Sequence, residues 1–462
     1  MAGIAYILLR WEALSALLAA GTAVALGFAV IALPLDQAVV VLGGRQVAMG
    51  EAVTFFGREL ALGQADRTAM AFLFFTAAGI FLLGWRFAPG SLLFPMGLGL
   101  ISLLCGSLLI RPLIYAALLV EIAAALSAFA LQGEGRLPTR GGLRYLTFTT
   151  MALPGLLVTH WLLERYAITP DETELLSTAS VLLAFSFALL LGVVPFHTWV
   201  PAVADDSVPL AGSFVLTIGN GTIWFLLLDF LETYPWLSRD PRFGSIVSTA
   251  GLAMVVVGGL LSAARRRLGS LMGYAALVDS GAALFALGMN SKMGVTLALL
   301  SLLVRPFGLI ALAAGLSGLR RRSGGEDGPD ALRGLGWKAP WSTVVLFVGT
   351  LSIAGMPIGA GFIWRWALFR EMAASRPGIV PIFLLATVGV MVGVWRGLST
   401  LLTRPPSPKD RSVVSEEPSE GWLTAAVAIV AVLACVGVGL FPQVIASLAA
   451  RLAETYTFFS SW

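Results

Sequence analysis

The chain has 462 residues, of which 58% are hydrophobic and only 12% are charged, and its mean hydropathy is +0.88. Soluble domains carry roughly 25% charged and about 45–50% apolar residues, so this much apolar surface belongs in a bilayer. Soluble enzymes, nucleic-acid binders and secreted scaffolds are excluded, and the formal charge of +4 is that of basic connections orienting a membrane protein.

In chain order, the first apolar run is interrupted by Arg10 and Glu12 and then continues from Leu14 to Leu35, long enough to span rather than to be a cleaved signal. Largely uncharged stretches of about 20 residues predict about thirteen transmembrane helices. Their expected limits are 13–35, 67–88, 91–110, 112–131, 144–163, 177–198, 208–231, 245–264, 269–289, 293–318, 341–370, 378–402 and 421–449. The fold class is therefore an all-α polytopic membrane protein. Lipid cannot satisfy open backbone groups, and continuously apolar runs lack the alternation of barrel strands. Residues 1–462 read as one integral membrane domain, with broken helices near Pro195–Pro201 and Gly355–Gly361.

Basic connections follow the even-numbered spans: Arg86; Arg136, Arg140 and Arg144; Arg265 to Arg267; Arg320 to Arg322 with Arg333 and Lys338; and Arg404 with Lys409 and Arg411. The connection after span six dissents, carrying Asp205 and Asp206, which read as residues opening the helix before Pro209. The bias puts the N-terminus in the cytoplasm and the C-terminus outside, in a prokaryotic plasma membrane. Residues 36–66 read as an external hairpin-like loop, and 403–420, rich in Pro, Ser and charge, as a flexible cytoplasmic loop.

Charges at bilayer depth each need a reason. Glu121 lies in the middle of span four with no neutralising residue within a turn, so its partner is expected on another span. Asp279 sits mid-span nine, and Arg305 and Arg365 in spans ten and eleven are natural counter-ions for the two acids. Guanidinium groups do not deprotonate, so both act as fixed charges; each lies near a helix break, Arg305 before Pro306 and Arg365 after Gly355 to Gly361. His197, between Pro195 and Pro201, is either a structural hydrogen-bonder or a proton relay. His160 reads as interfacial, beside Trp161 and Glu164. Cys105 and Cys435 lie in separate apolar runs and read as buried small hydrophobes. Two separated cysteines and two separated histidines make no metal set, and no phosphate-binding glycine loop occurs. No cofactor is expected on this chain.

Several stretches resemble the antiporter-like membrane subunits shared by respiratory complex I, membrane-bound hydrogenases and multi-subunit sodium/proton antiporters. Val194-Pro195-Phe196-His197-Thr198-Trp199-Val200-Pro201 is similar to the family's PFHxWLP segment. Leu271-Met272-Gly273-Tyr274 through Gly281 resembles LLAYSSIxHxG, and Ala331 to Gly336 the loop leading into the broken helix. Leu351 to Pro357 with Ala360-Gly361-Phe362-Ile363 resembles LSLAGIPxxxGFxGKF, nearest the quinone-proximal type of subunit, and Gly439-Leu440-Phe441-Pro442 also fits. The resemblance covers residues 45–445.

In such subunits a glutamate and a row of lysines or histidines at mid-membrane are thought to move protons. The resemblance places that glutamate at Glu121, one lysine near the apolar Leu190 and another in Gly219 to Thr222, which has none. Asp279 replaces the family's histidine, and two later lysine positions fall at Arg305 and Arg365. The three lysines present, Lys292, Lys338 and Lys409, all fall at loops or span ends. The implied function is a proton- or cation-translocating subunit of a redox-driven NADH-quinone oxidoreductase or hydrogenase-type complex. Its partners are other membrane subunits, with flavin, iron–sulfur or nickel–iron centres and any quinone site on other chains. Two alternatives stay open: a degenerate, non-conducting structural or coupling subunit, and a subunit of a non-redox antiporter or inorganic-carbon uptake system.

Overall fold

The structure is a computed structural model that describes residues 1–7, 11–35, 38–41, 45–48, 53–55, 58–87, 92–112, 114–132, 139–403 and 420–459. Most of the loop expected over 403–420 lies outside the described residues.

A short helix, α1 (Ala2–Ile7), precedes α2 (Glu12–Ala32). Two antiparallel strand pairs follow, β1 (Ala38–Val41) with β2 (Arg45–Ala48) and β3 (Val53–Phe55) with β4 (Arg58–Leu60). Helices α3 (Gln64–Phe87) and α4 (Leu93–Leu109) lead to β5 (Ile110–Arg111), which adds to β4 with Glu59 opposite Arg111. Next come α5 (Ile114–Ala130), α6 (Arg140–Ile168) and α7 (Glu174–Leu191). Thr139 caps α6 by accepting from Gly142 N at 3.0 Å. Gly192, in the left-handed region at φ 68°, stops α7. A single 3-10 turn, Phe196–Thr198, then leads into α8 (Trp199–Asp206).

The next crossing is composite: α9 (Pro209–Phe214), a π-helical stretch Val215–Gly219, and α10 (Asn220–Thr233). After α11 (Trp236–Arg239) come α12 (Phe243–Ala264), α13 (Leu268–Leu287) and α14 (Lys292–Arg322), then α15 (Pro329–Leu332). Helices α16 (Pro340–Ile353) and α17 (Phe362–Ser375) have 14 residues each, so each is about 21 Å long, short of a bilayer core of about 30 Å. Residues 354–361 between them are non-helical. The chain ends with α18 (Val380–Leu402), α19 (Trp422–Leu440) and α20 (Gln443–Glu454).

Ten of these segments are long and apolar enough to cross a membrane, among the described residues. Apolar helices Leu93–Leu109, Ile114–Ala130 and Pro340–Ile353 are shorter. The last apolar run does not continue to residue 449 as one helix: it stops at Leu440, and after Phe441 and Pro442 the amphipathic α20 begins. Pro442 has no amide hydrogen to extend the ladder.

Helix α13 is apolar on every side and all of its residues are buried, as expected of a helix in the middle of a bundle. It packs against α8, α12, α14 and α18, while α14 also packs on α16 and α20. The centre of the molecule is thus the α13–α14 pair, and the site lies between them.

Candidate functional site

Asp279 is 1% exposed and faces α14 from the middle of α13. Its Oδ2 accepts from Arg305 Nε at 2.6 Å, and its Oδ1 lies 3.5 Å from Arg365 Nη2. Ser301 Oγ, one helical turn before Arg305, donates to the same Oδ2 at 3.4 Å. Arg305 Nη1 donates to Asn220 Oδ1 at 2.9 Å. Three elements therefore meet at the carboxylate, α13, α14 and α17, and the start of α10 joins the cluster through Arg305. Both arginines are almost fully buried, and the cluster of one acid and two guanidinium groups is net positive. Arg305 Nη2 and Arg365 Nε and Nη1 are buried without a hydrogen-bond partner among the described residues.

Local backbone geometry puts Arg365 there. Gly355 has φ 75°, and a Cβ on it would collide with the Arg365 side chain, so the chain needs glycine for both conformation and space. Ile358 in the same segment also has positive φ, at 74°, a strained conformation for a β-branched residue. The guanidinium of Arg365 stacks over Trp364, 4.5 Å from the ring centroid, a cation–π contact that partly offsets its lost hydration. Gly439 at the end of α19 lies against the carbonyls of Ile358 and Gly359, so the Gly439–Pro442 motif braces this segment.

Glu121 lies elsewhere. Its Oε1 accepts from Thr150 Oγ1 of α6 at 2.5 Å, and its Oε2 is buried without a partner among the described residues. Its partner is on another span, as expected, but it is a neutral hydroxyl; both arginines go to Asp279 instead. Leu118 and Ile122, flanking Glu121 on α5, are 40% and 53% exposed, so this carboxylate sits near the lateral rim of the chain. His197 is half-buried in the 3-10 turn before α8, with Nδ1 unpartnered among the described residues. The five sequence candidates thus divide into one cluster of three, Asp279 with Arg305 and Arg365, and two separate positions.

Other partners were not singled out from the sequence. Asn220 falls inside the Gly219–Thr222 window that holds no lysine, and its amide oxygen serves the same buried network. Asp66 and Asp229, both buried, share Arg111, at 3.4 and 4.0 Å. Asp229 inside the apolar run of α10 was the available signal for this second cluster. On the opposite side of the bundle, Asp327 accepts from Gly269 N at 2.8 Å, Arg267 Nε at 2.8 Å and Arg320 Nη2 at 2.6 Å. Burial pushes this carboxyl up, but Arg320, the Gly269 amide and Arg267 outweigh it, and the net shift is below the usual carboxylate value. Asp205 and Asp206 end α8 rather than open the next helix, and Asp205 lies 3.2 Å from Arg267.

A bundle of apolar helices around a charged, fully buried centre defines an antiporter-like membrane subunit; Arg305 reaches that centre from an unbroken α14, not from a helix break. Residues 92–391 match the family described as NADH:quinone oxidoreductase/Mrp antiporter, TM, and the chain belongs to that family. It is 26% identical over 278 residues to NADH-quinone oxidoreductase subunit N of Methylococcus capsulatus, a match covering 59% of this chain and 55% of that one. The chain thus spans about half the length of that relative. Its fold is similar to a chain of the Mrp complex from Dietzia sp. DQ12-45-1b, with a TM-score of 0.75 at 18% identity, covering 100% of this chain and 97% of the other. It is similar also to a chain of the archaeal membrane-bound sulfane sulfur reductase, with a TM-score of 0.77 at 15% identity, covering 99% and 96%.

Proposed function

We propose that this chain is a proton- or cation-translocating subunit of a redox-driven complex of the NADH-quinone oxidoreductase or hydrogenase type. The observation that carries the reading is Asp279, paired at the centre of the bundle with two arginines, one following the non-helical segment 354–361 and one beside Pro306. Ion-handling proteins gather charge and freed backbone at such breaks. Glu121, partly open at the lateral rim, is the point at which a neighbouring membrane subunit would extend the path, with His197 a relay between buried groups. Flavin, iron–sulfur or nickel–iron groups and any quinone site belong to other subunits; this chain supplies no cofactor of its own.

Ten long helices and three shorter apolar ones support thirteen crossings, the eleventh built from α16 and α17 as two half-helices and the sixth broken before α8. The N-terminus is then cytoplasmic and the C-terminus external, in a prokaryotic plasma membrane, with the strands of 36–66 outside and 403–420 a flexible loop inside. Cysteine labelling at Ala2 and Ser461 from either side tests this; reaction of both from one face refutes it.

Purification of the intact complex with identification of its subunits tests the assignment of partners. In the reconstituted complex, Glu121→Gln keeps the Thr150 contact and removes ionisation. Loss of ion translocation with assembly intact is expected; unchanged translocation refutes the role of Glu121.

A second reading is favoured by one observation, the 2.6 Å contact between Arg305 and Asp279. A fixed guanidinium in so short a pair is built to stay charged. In that reading the cluster is a permanent structural element, and the chain couples or braces its neighbours without conducting, or serves a non-redox antiporter or inorganic-carbon uptake system. Antiporter small subunits in the purified complex, rather than redox subunits, favour the non-redox form.

A further inference from the structure

A cavity of about 1000 Å³ lies between α3, α14, α19 and α20, behind the turn of α14 that carries Pro306 and Phe307. Its walls are apolar almost throughout. Along α3 it runs from Arg67 to Trp85, a rise of about 27 Å, close to the thickness of a bilayer core. Helix α19 explains the opening: of its residues only Ala428, Ala431 and Cys435 are buried, and its main packing is on α16 and α14 rather than α3.

The cavity has a polar end, where Arg67 and Arg451 stand with Gln64 and Thr455. Its lining contains two arginines and no Asp or Glu. Arg67 is half-buried and uses Nη1 on the Leu33 carbonyl at 3.3 Å, while Arg451 is exposed. The nearby carboxylates are turned elsewhere: Asp66 toward Arg111 and Glu454 toward Lys292.

We propose that this cavity is a binding site for one anionic phospholipid, its phosphate between Arg67 and Arg451 and its acyl chains along α3 and α19. Long apolar walls suit acyl chains, and two guanidinium groups without a local carboxylate suit a phosphate, which they bind through charge-assisted hydrogen bonds. A neutral isoprenoid quinone would fill the walls and leave both charges unanswered. The lipid would act as packing material between α3 and the weakly buried α19, on the far side of α14 from Asp279. The site is independent of whether the chain conducts ions.

The test uses the purified full chain incorporated into vesicles of equal phosphatidylglycerol and phosphatidylcholine, re-extracted in mild detergent, with retained lipid quantified by mass spectrometry. Phosphatidylglycerol should be retained about thirtyfold over phosphatidylcholine, the size expected of two cationic side chains near a headgroup. Arg67→Gln with Arg451→Gln should abolish the preference. Gly79→Phe should remove retained lipid of both kinds, since Gly79 lines the cavity and a Cβ there meets nothing within 4 Å; circular dichroism checks that this variant folds. Equal retention of the two lipids by the unmodified chain, or unchanged retention in Gly79→Phe, overturns the proposal. Displacement of phosphatidylglycerol by added ubiquinone overturns it in favour of a quinone.

Discussion

Arg305 Nε and Asp279 Oδ2 are 2.6 Å apart with both side chains at most 2% exposed, and this pair, not Arg365, is the tighter half of the central cluster. Removing Arg365 therefore leaves a neutral pair, whereas removing Asp279 leaves two buried guanidinium groups facing each other. Asp279→Ala should cost at least about 3–5 kcal/mol and Arg365→Met roughly 1–3 kcal/mol. Thermal unfolding and assembly yield of both variants check the order. A larger loss in Arg365→Met would mean that the looser contact is the structural one.

Arg111 lies 3.4 Å from Asp66 and 4.0 Å from Asp229 and is the shared cation of two neighbouring buried carboxylates. Arg111→Met should destabilise the chain by about 3 kcal/mol, the usual cost of stranding a buried charge. Adding Asp229→Asn should recover most of that loss, because Asp66 then faces a neutral amide that can donate to it instead of a second carboxylate. A double-mutant cycle on thermal stability decides it; additive effects would rule out the coupling.

The Asp327 network predicts a pH dependence. Its carboxyl lies below its ordinary value despite burial, because Arg320, the Gly269 amide and Arg267 favour the ionised form. A depressed folded value means stability that is fully present above the unfolded value, about 3.9, and lost as pH falls through the folded one. The stability difference between the unmodified chain and Asp327→Asn should stay constant from about pH 5 to 7 and shrink below about pH 4. A difference that instead grows on acidification would contradict the assignment.

Gly355→Ala places a side chain at φ 75° and against Arg365. The conformation alone costs about 1 kcal/mol or more, and the collision pushes Arg365 away from Asp279. Gly79→Ala, inside α3 where a Cβ meets nothing within 4 Å, is the control and should leave stability unchanged or raise it by up to about 1 kcal/mol. Equal thermal stability of the two variants would show that residues 354–361 are free to rearrange.

Much of this architecture is legible in the sequence because lipid imposes one rule on it: a long uncharged apolar run has to be a helix. Glycine and proline clusters at 192–201 and 355–361 also announce where helices stop. Pairing is less legible. Nothing local tells that both arginines serve Asp279 or that Glu121 meets Thr150, since these contacts join residues 26, 86 and 29 positions apart. Asp327 is invisible as a loop acid among polar residues, and its importance depends on the way α14 returns Arg320 beside Gly269. Asn220 carries no charge to draw the eye, although it holds the second donor of Arg305.

The π-helical stretch Val215–Gly219 amounts to one residue more than an α-helix would need to cover the same rise, and such widened turns recur near functional centres. One residue corresponds to about 100° of rotation. Everything on α10 is therefore aimed by that surplus residue: Asn220 toward Arg305, and, on the other side two and a half turns on, Asp229 toward Arg111. Deleting a single residue from this stretch would leave hydropathy and span length nearly untouched, yet would swing both polar side chains off their arginines at once. The buried cluster between α13 and α14 and the one near β5 are thus set by a shared dial, and a sequence change at neither of them can misalign both.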